Sequence, residues 1–139
     1  MIQPADTTVV HLSTVHHTHD NRVYNKEARS MAEAGNDFQQ VIRGDRDGVD
    51  DGVPIIALHP GGRLRRLVCG QREAWSVLER LCPDVLQIHD PELIPMALVF
   101  KARSGCAVIY DAHEDLVGQI DTKPYLNRLP RRVARGPAR

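Results

Sequence analysis

Short β-branched and aliphatic runs alternate along this chain with segments whose apolar residues recur at helical spacing, and that alternation constrains the fold more than any other feature. The stretch 7–14 (TTVVHLST) predicts a buried strand. Asp20 or Asn21 can then cap a helix beginning near Arg22. Tyr24, Ala28, Met31, Ala32 and Gly35 fall at i, i+4, i+7, i+8 and i+11, on one face of that helix, and Gly35-Asn36 ends it. A second strand is expected near 38–43, followed by the turn-rich, acidic GDRDGVDDG, and a third at 53–58. Pro60-Gly61-Gly62 breaks the chain.

From Leu64 the apolar positions Leu67, Val68, Trp75, Leu78 and Leu81 predict a helix that stops at Pro83. Gly70 weakens it by about 1 kcal/mol relative to alanine. Strands at 84–88 and 106–110 flank a further helix near 95–103. The order β-α-β-β-α-β-α-β implies an α/β, Rossmann-like domain: a mostly parallel sheet with helices on both faces. There is no internal repeat.

The chain has 139 residues, ordinary for one domain, and its formal net charge of zero argues against a whole-domain nucleic-acid footprint. Aromatics make up only 4%, so the core must be aliphatic. No apolar run approaches the roughly 20 residues that span a bilayer, and MIQPADTTVV lacks the pattern of a signal peptide. Cys69, Cys82 and Cys106 form no CxxC pair and are expected to be small buried fillers in a reducing, cytoplasmic setting.

Three strand-like runs end in one kind of chemistry. HHTHDNR (16–22) follows the first, HDPELIP (89–95) the fourth, and YDAHED (110–115) closes the fifth. In parallel α/β sheets the working site lies beyond the carboxyl ends of the strands, so the three clusters should converge. Pro95 pushes Ile94 away from the α region, so a regular helix should start at or near Pro95. His89–Leu93 would then be an exposed corner presenting Asp90 and Glu92 to a cleft. Those carboxylates can accept from sugar hydroxyls or orient a histidine, whereas Asp90 alone could equally be a helix cap. His113, flanked by Asp111, Glu114 and Asp115, can serve as a general base or orient a hydroxyl. A strand-end histidine bonded to backbone is the plainer alternative. Arg22, at a helix start, suits a phosphate or carboxylate, or is simply a solvated arginine. The absence of G-x-G-x-x-G and of a P-loop disfavours a self-contained dinucleotide or NTPase site.

The ordered series HLSTVHHTHDNRVYNKEARSMAEAG, HDPELIP and VIYDAHED resembles the N-terminal domain of family-4 glycosyltransferases of the GT-B fold, over residues 7–125. The resemblance implies two Rossmann-like domains around a cleft, this one holding the acceptor and a C-terminal one holding a nucleotide-sugar such as a UDP- or GDP-sugar. Transfer would retain anomeric configuration and need no bound metal or other tightly held cofactor. By the same resemblance His113 is the acceptor-side catalytic residue. His16, Asp20, Arg22, His89, Asp90, Glu92, Asp111 and Glu114 contact the acceptor or the donor phosphates. The first loop departs from many relatives in having no glycine between His16 and Arg22.

On this reading residues 1–122 form the acceptor-side domain, and 123–139 is a basic tail where the donor half would begin. The tail carries Lys123, Arg128, Arg131, Arg132, Arg135 and Arg139 without an acidic residue. It fits the start of an interdomain helix, a contact with an anionic membrane surface, or a truncated or frameshifted reading frame. A sugar or lipid acceptor and the donor domain are the expected partners. A different enzyme class, a metal-dependent hydrolase, would use His17, His19, His89, Asp90, His113 and Glu114 as ligands. A non-catalytic binding module is the third reading.

Overall fold

The computed structural model describes residues 7–17, 29–50, 52–59 and 61–112, the side chains of His16 and His17 excepted. Its framework is a single six-stranded sheet: β1 (Thr8–His17), β2 (Asp37–Arg43), β3 (Gly48–Asp50), β4 (Val53–Leu58), β5 (Val85–Ile88) and β6 (Ala107–Tyr110). The strand order is β3-β4-β2-β1-β5-β6. Every pairing is parallel except β3 with β4. The chain runs outward from β1 through β2 to β4, then crosses back to lay β5 against the other side of β1. That reversal of direction is the topological switch point of a Rossmann-like sheet, and it opens a crevice beyond the carboxyl ends of β1 and β5.

Strand β3 falls within GDRDGVDDG, where turns alone are expected. It pairs antiparallel with β4, Asp50 opposite Val53, and Gly52 just before β4 has φ +82°. An Asp-Gly pair between valine-containing runs is the residue choice a two-residue hairpin loop demands.

Helices cover both faces. On one, Val10, Leu12, Val41, Leu86 and Ile88 pack against Ala74, Val77 and Leu78 of α3 (Gln71–Leu81) and Ala97 and Phe100 of α4 (Ile94–Ser104). Trp75 and Phe100 meet edge to face across the two helices, with ring centroids 5.3 Å apart. On the other face Val9, Phe38 and Val53 pack against Met31 and Ala32, which belong to α1, helical over 29–33. The buried core is dominated by aliphatic side chains, as the scarcity of aromatics requires.

The helix expected from Leu64 is broken into parts. A single turn, α2 (Arg63–Arg65), leads into a π-helical segment Arg66–Gly70 and then into α3. The wider π turn rotates the early residues off the face that packs on the sheet. Leu64 and Val68 are therefore exposed, and only the later apolar positions, Trp75, Leu78 and Leu81, reach the core. The helix ends at Cys82, in the left-handed region at φ +47°, before Pro83. Helix α4 ends the same way at Gly105, φ +76°. Of the cysteines only Cys106 is buried; Cys69 and Cys82 are exposed, contrary to the expectation of fillers. Cys69 lies on the rotated π segment and Cys82 on a helix end. Among the described residues no helix is long and apolar enough to cross a membrane.

Candidate functional site

The carboxyl edge is organised by a fault in the β1–β2 ladder. Between two registered pairs, β1 advances from Leu12 to His17 while β2 advances only from Val41 to Arg43. The intervening backbone cannot keep its partners on β2, and its N–H groups must be satisfied elsewhere. Asp90, one residue past His89 at the end of β5, supplies the acceptor. Its Oδ2 accepts from the backbone N–H of Thr14 at 2.7 Å and of Val15 at 3.3 Å. The Ser13 hydroxyl donates to the same oxygen at 3.0 Å, and the Thr14 hydroxyl, whose one proton is shared with Glu92, lies 3.3 Å from it.

This corrects the expectation of an exposed corner: His89, Asp90 and Leu93 are buried. The cap reading fails as well, because Asp90 occupies the N-cap position of the 3-10 turn Pro91–Leu93 but its side chain makes no capping bond. It turns back across the switch point instead. Helix α4 starts where expected, at Ile94 with Pro95 in its first turn, but Pro95 does not push Ile94 out of the α region: Ile94 is helical, at φ −56° and ψ −49°.

Glu92 extends the same hub. Its Oε1 accepts from the Thr14 hydroxyl at 3.0 Å and from Arg66 Nε at 2.8 Å. Gln71 donates from its side-chain amide to the Glu92 carbonyl at 3.0 Å. The π segment is thereby tied to the ends of β1 and β5.

On the opposite face of the sheet a second polar chain runs across the strands. His11 and Gln87 are registered partners on β1 and β5. Gln87 Oε1 can only accept, so His11 Nε2 donates to it, at 2.5 Å. Gln87 Nε2 donates in turn to Asp111 Oδ2 at 3.3 Å, and that oxygen lies 3.8 Å from His89 Nδ1. The His11 ring sits edge-on to both Phe38 and His89. Burial pushes the His11 pKa down to about 4, although the Gln87 bond and the Asp111 charge act in the opposite direction. His11 is therefore neutral at ordinary pH.

Of the residues singled out in the sequence, His89, Asp90, Glu92 and Asp111 meet at this edge. His16 lies on the last stretch of β1. Asp20, Arg22, His113 and Glu114 lie outside the described residues, as do Tyr24, Ala28, Asp115 and the basic segment 123–139. His17 and His19 of the hydrolase ligand set have no described side chain, and Asp90 is committed to β1. Among the described residues no three His, Cys, Asp or Glu side chains group as a metal site requires. Sequence reasoning missed His11, Gln87 and Arg66. The signal for the first two was present: a polar residue in the middle of an otherwise apolar, doubly covered parallel strand must have a buried partner.

Fold and edge together define a Rossmann-like α/β domain whose polar side chains gather at the carboxyl ends of β1, β5 and β6. No family model matches the chain, and neither the curated proteins nor the solved structures contain a match.

Proposed function

We propose that this chain is the acceptor-binding half of a retaining glycosyltransferase of the GT-B type, which moves a sugar from a UDP- or GDP-sugar to a glycan, lipid or small-molecule acceptor. The observation that carries the reading is an adjacency. The three motif clusters follow β1, β5 and β6, and these three strands are consecutive neighbours in the sheet. The carboxyl ends of β1, β5 and β6 thus lie side by side at one edge of the sheet, at the switch point where such sheets take their ligands.

In this proposal His113 orients the acceptor hydroxyl or shares its proton as the glycosidic bond forms. Asp111 and His89 lend polar groups to the acceptor side, while Asp90 and Glu92 hold the end of β1. That loop, with His16, Asp20 and Arg22, faces acceptor and donor phosphate, and Glu114 flanks the acceptor. A second, donor-binding domain supplies the nucleotide contacts, no tightly bound cofactor takes part, and the enzyme works in the cytoplasm or against the inner membrane face.

The test is a transfer assay on the polypeptide that unites this domain with its donor domain. Labelled UDP- and GDP-sugars are supplied with a panel of polyol, glycan and lipid acceptors, and the product anomer is assigned by NMR. Transfer with retained configuration supports the proposal. Hydrolysis that requires added zinc, with no sugar transfer, would support the metal-hydrolase reading instead.

A further inference from the structure

We propose a second site, a receptor for a phosphate group, in the cavity between the ends of β2 and β4 and the π-helical segment. The cavity holds about 100 Å³, and its walls include Thr14, Arg43, His59, Arg65, Arg66 and Glu73. The volume suits one phosphate group and little more. This site rests on its own geometry and stands whether or not the domain transfers sugars.

The charges in the wall are unbalanced. Glu73 is occupied: its carboxylate accepts the His59 backbone N–H at 3.2 Å on both oxygens and also pairs closely with the His59 ring. Arg66 is held by Glu92. Arg43 and Arg65 have no carboxylate partner among the described residues, so within that set two guanidinium charges in the cavity wall are uncompensated. Arg43 is more than a surface cation. It ends β2, registered with Leu58 on β4, and its Nε is buried without a hydrogen-bond partner among the described residues. A buried guanidinium N–H lacking an acceptor is costly, and an anion beside the rest of the guanidinium would offset part of that cost.

The loop before α2 is shaped to admit Arg65. A Cβ added at Gly61 would stand 2.9 Å from Arg65 Cδ and 3.2 Å from its Cγ. Glycine there lets the arginine stem lie against the loop and bring its head to the cavity. Guanidinium groups on two walls match the several acceptor oxygens of a phosphate. Thr14 and Arg66 also belong to the hub at the end of β1, so the cavity opens beside the carboxyl edge. A phosphorylated molecule can occupy both.

The experiment is an NMR and calorimetric titration of the chain with inorganic phosphate, a hexose 6-phosphate and the unphosphorylated hexose. It is repeated on Arg43→Gln, Arg65→Gln, Gly61→Ala and, as a control for diffuse charge, Arg103→Gln on the far helix. Both phosphates should bind, with shifts centred on 43, 59 and 61–66. Arg43→Gln and Arg65→Gln should each weaken binding by about tenfold, the worth of one charge-assisted contact. Gly61→Ala should weaken it too, and Arg103→Gln should not. Arg65 is exposed, so its variant remains informative should Arg43→Gln fail to fold. Tighter binding of the hexose phosphate than of phosphate identifies a phosphorylated metabolite as the ligand, and equal binding identifies free phosphate. Absence of phosphate binding, or equal losses in the Arg103 control and the two cavity variants, overturns the site.

Discussion

The carboxylate of Asp90 accepts the backbone N–H of Thr14 at 2.7 Å across 76 residues of sequence, and with that bond the end of β5 holds the end of β1. The bond exists because the β1–β2 ladder loses register beyond Leu12, leaving the N–H groups of Thr14 and Val15 to find another acceptor. Asp90→Ala would strand two N–H groups and remove an acceptor from the Ser13 hydroxyl, while the Thr14 hydroxyl keeps Glu92. Its expected cost is about 3 kcal/mol, against about 1 kcal/mol for loss of a simple helix cap. Urea denaturation of the variant distinguishes the two values.

His11 links stability to pH. In the unfolded chain it titrates near its ordinary value of 6.5, whereas in the folded chain burial holds it at about 4. The unfolded state therefore takes up the proton first as pH falls. Stability from this group is fully present above 6.5, is lost progressively from there down to about 4, and levels off below. The full swing is of the order of 3 kcal/mol. His11→Asn should lower stability at neutral pH yet flatten its dependence between pH 6.5 and 4, as read from urea midpoints at each pH. An unchanged slope would show that other groups carry the acid sensitivity.

Arg66 and Glu92 pair at 2.8 Å with both side chains about one-fifth exposed. Partial burial raises the worth of such a pair above that of a surface pair, and the Thr14 hydroxyl on the same oxygen fixes its geometry. A double-mutant cycle with Arg66→Met and Glu92→Gln should give a coupling of about 1–2 kcal/mol. A coupling near zero would mean that the π segment is held by packing alone.

The two helix ends offer an internal comparison. Gly105 and Cys82 both close their helices with positive φ, one with glycine and one without. Gly105→Ala should cost about 1 kcal/mol, and Cys82→Gly should gain up to about 1 kcal/mol, since only the β-carbon is disfavoured there. Thermal melts of both variants check the sign.

Much of this architecture was legible in the chain. The β-branched runs became the parallel strands, and Met31 and Ala32 pack as their spacing requires. Pro95 marked the start of α4. Short β3 was hidden because Gly48–Asp50 is glycine and acid around a single valine, and only the following Asp-Gly signals the hairpin that creates it. The exposure of Leu64 and Val68 was hidden because a π turn shifts the helical phase, and no periodicity count contains that shift. The site was legible in location but not in roles. That His89, Asp90 and Asp111 would share an edge follows from strand order. That Asp90 faces β1 depends on a register slip between β1 and β2, which neither strand shows by itself. His11 and Gln87 were readable in principle, as polar residues placed where a covered strand should be apolar.

The acceptor-site proposal rests on His113, and the measurement that addresses it most directly is a paired kinetic and thermal comparison of His113→Ala with the unaltered protein, in the polypeptide that carries both domains. If His113 positions or deprotonates the acceptor hydroxyl, kcat for sugar transfer falls by roughly 10²–10⁴-fold while the melting temperature stays within a degree or two, the range of a surface substitution. Asp90→Ala in the same background should do the reverse, lowering the melting temperature while the folded fraction retains most of its rate. A His113→Ala enzyme with near-normal kcat and a depressed melting point would contradict the account.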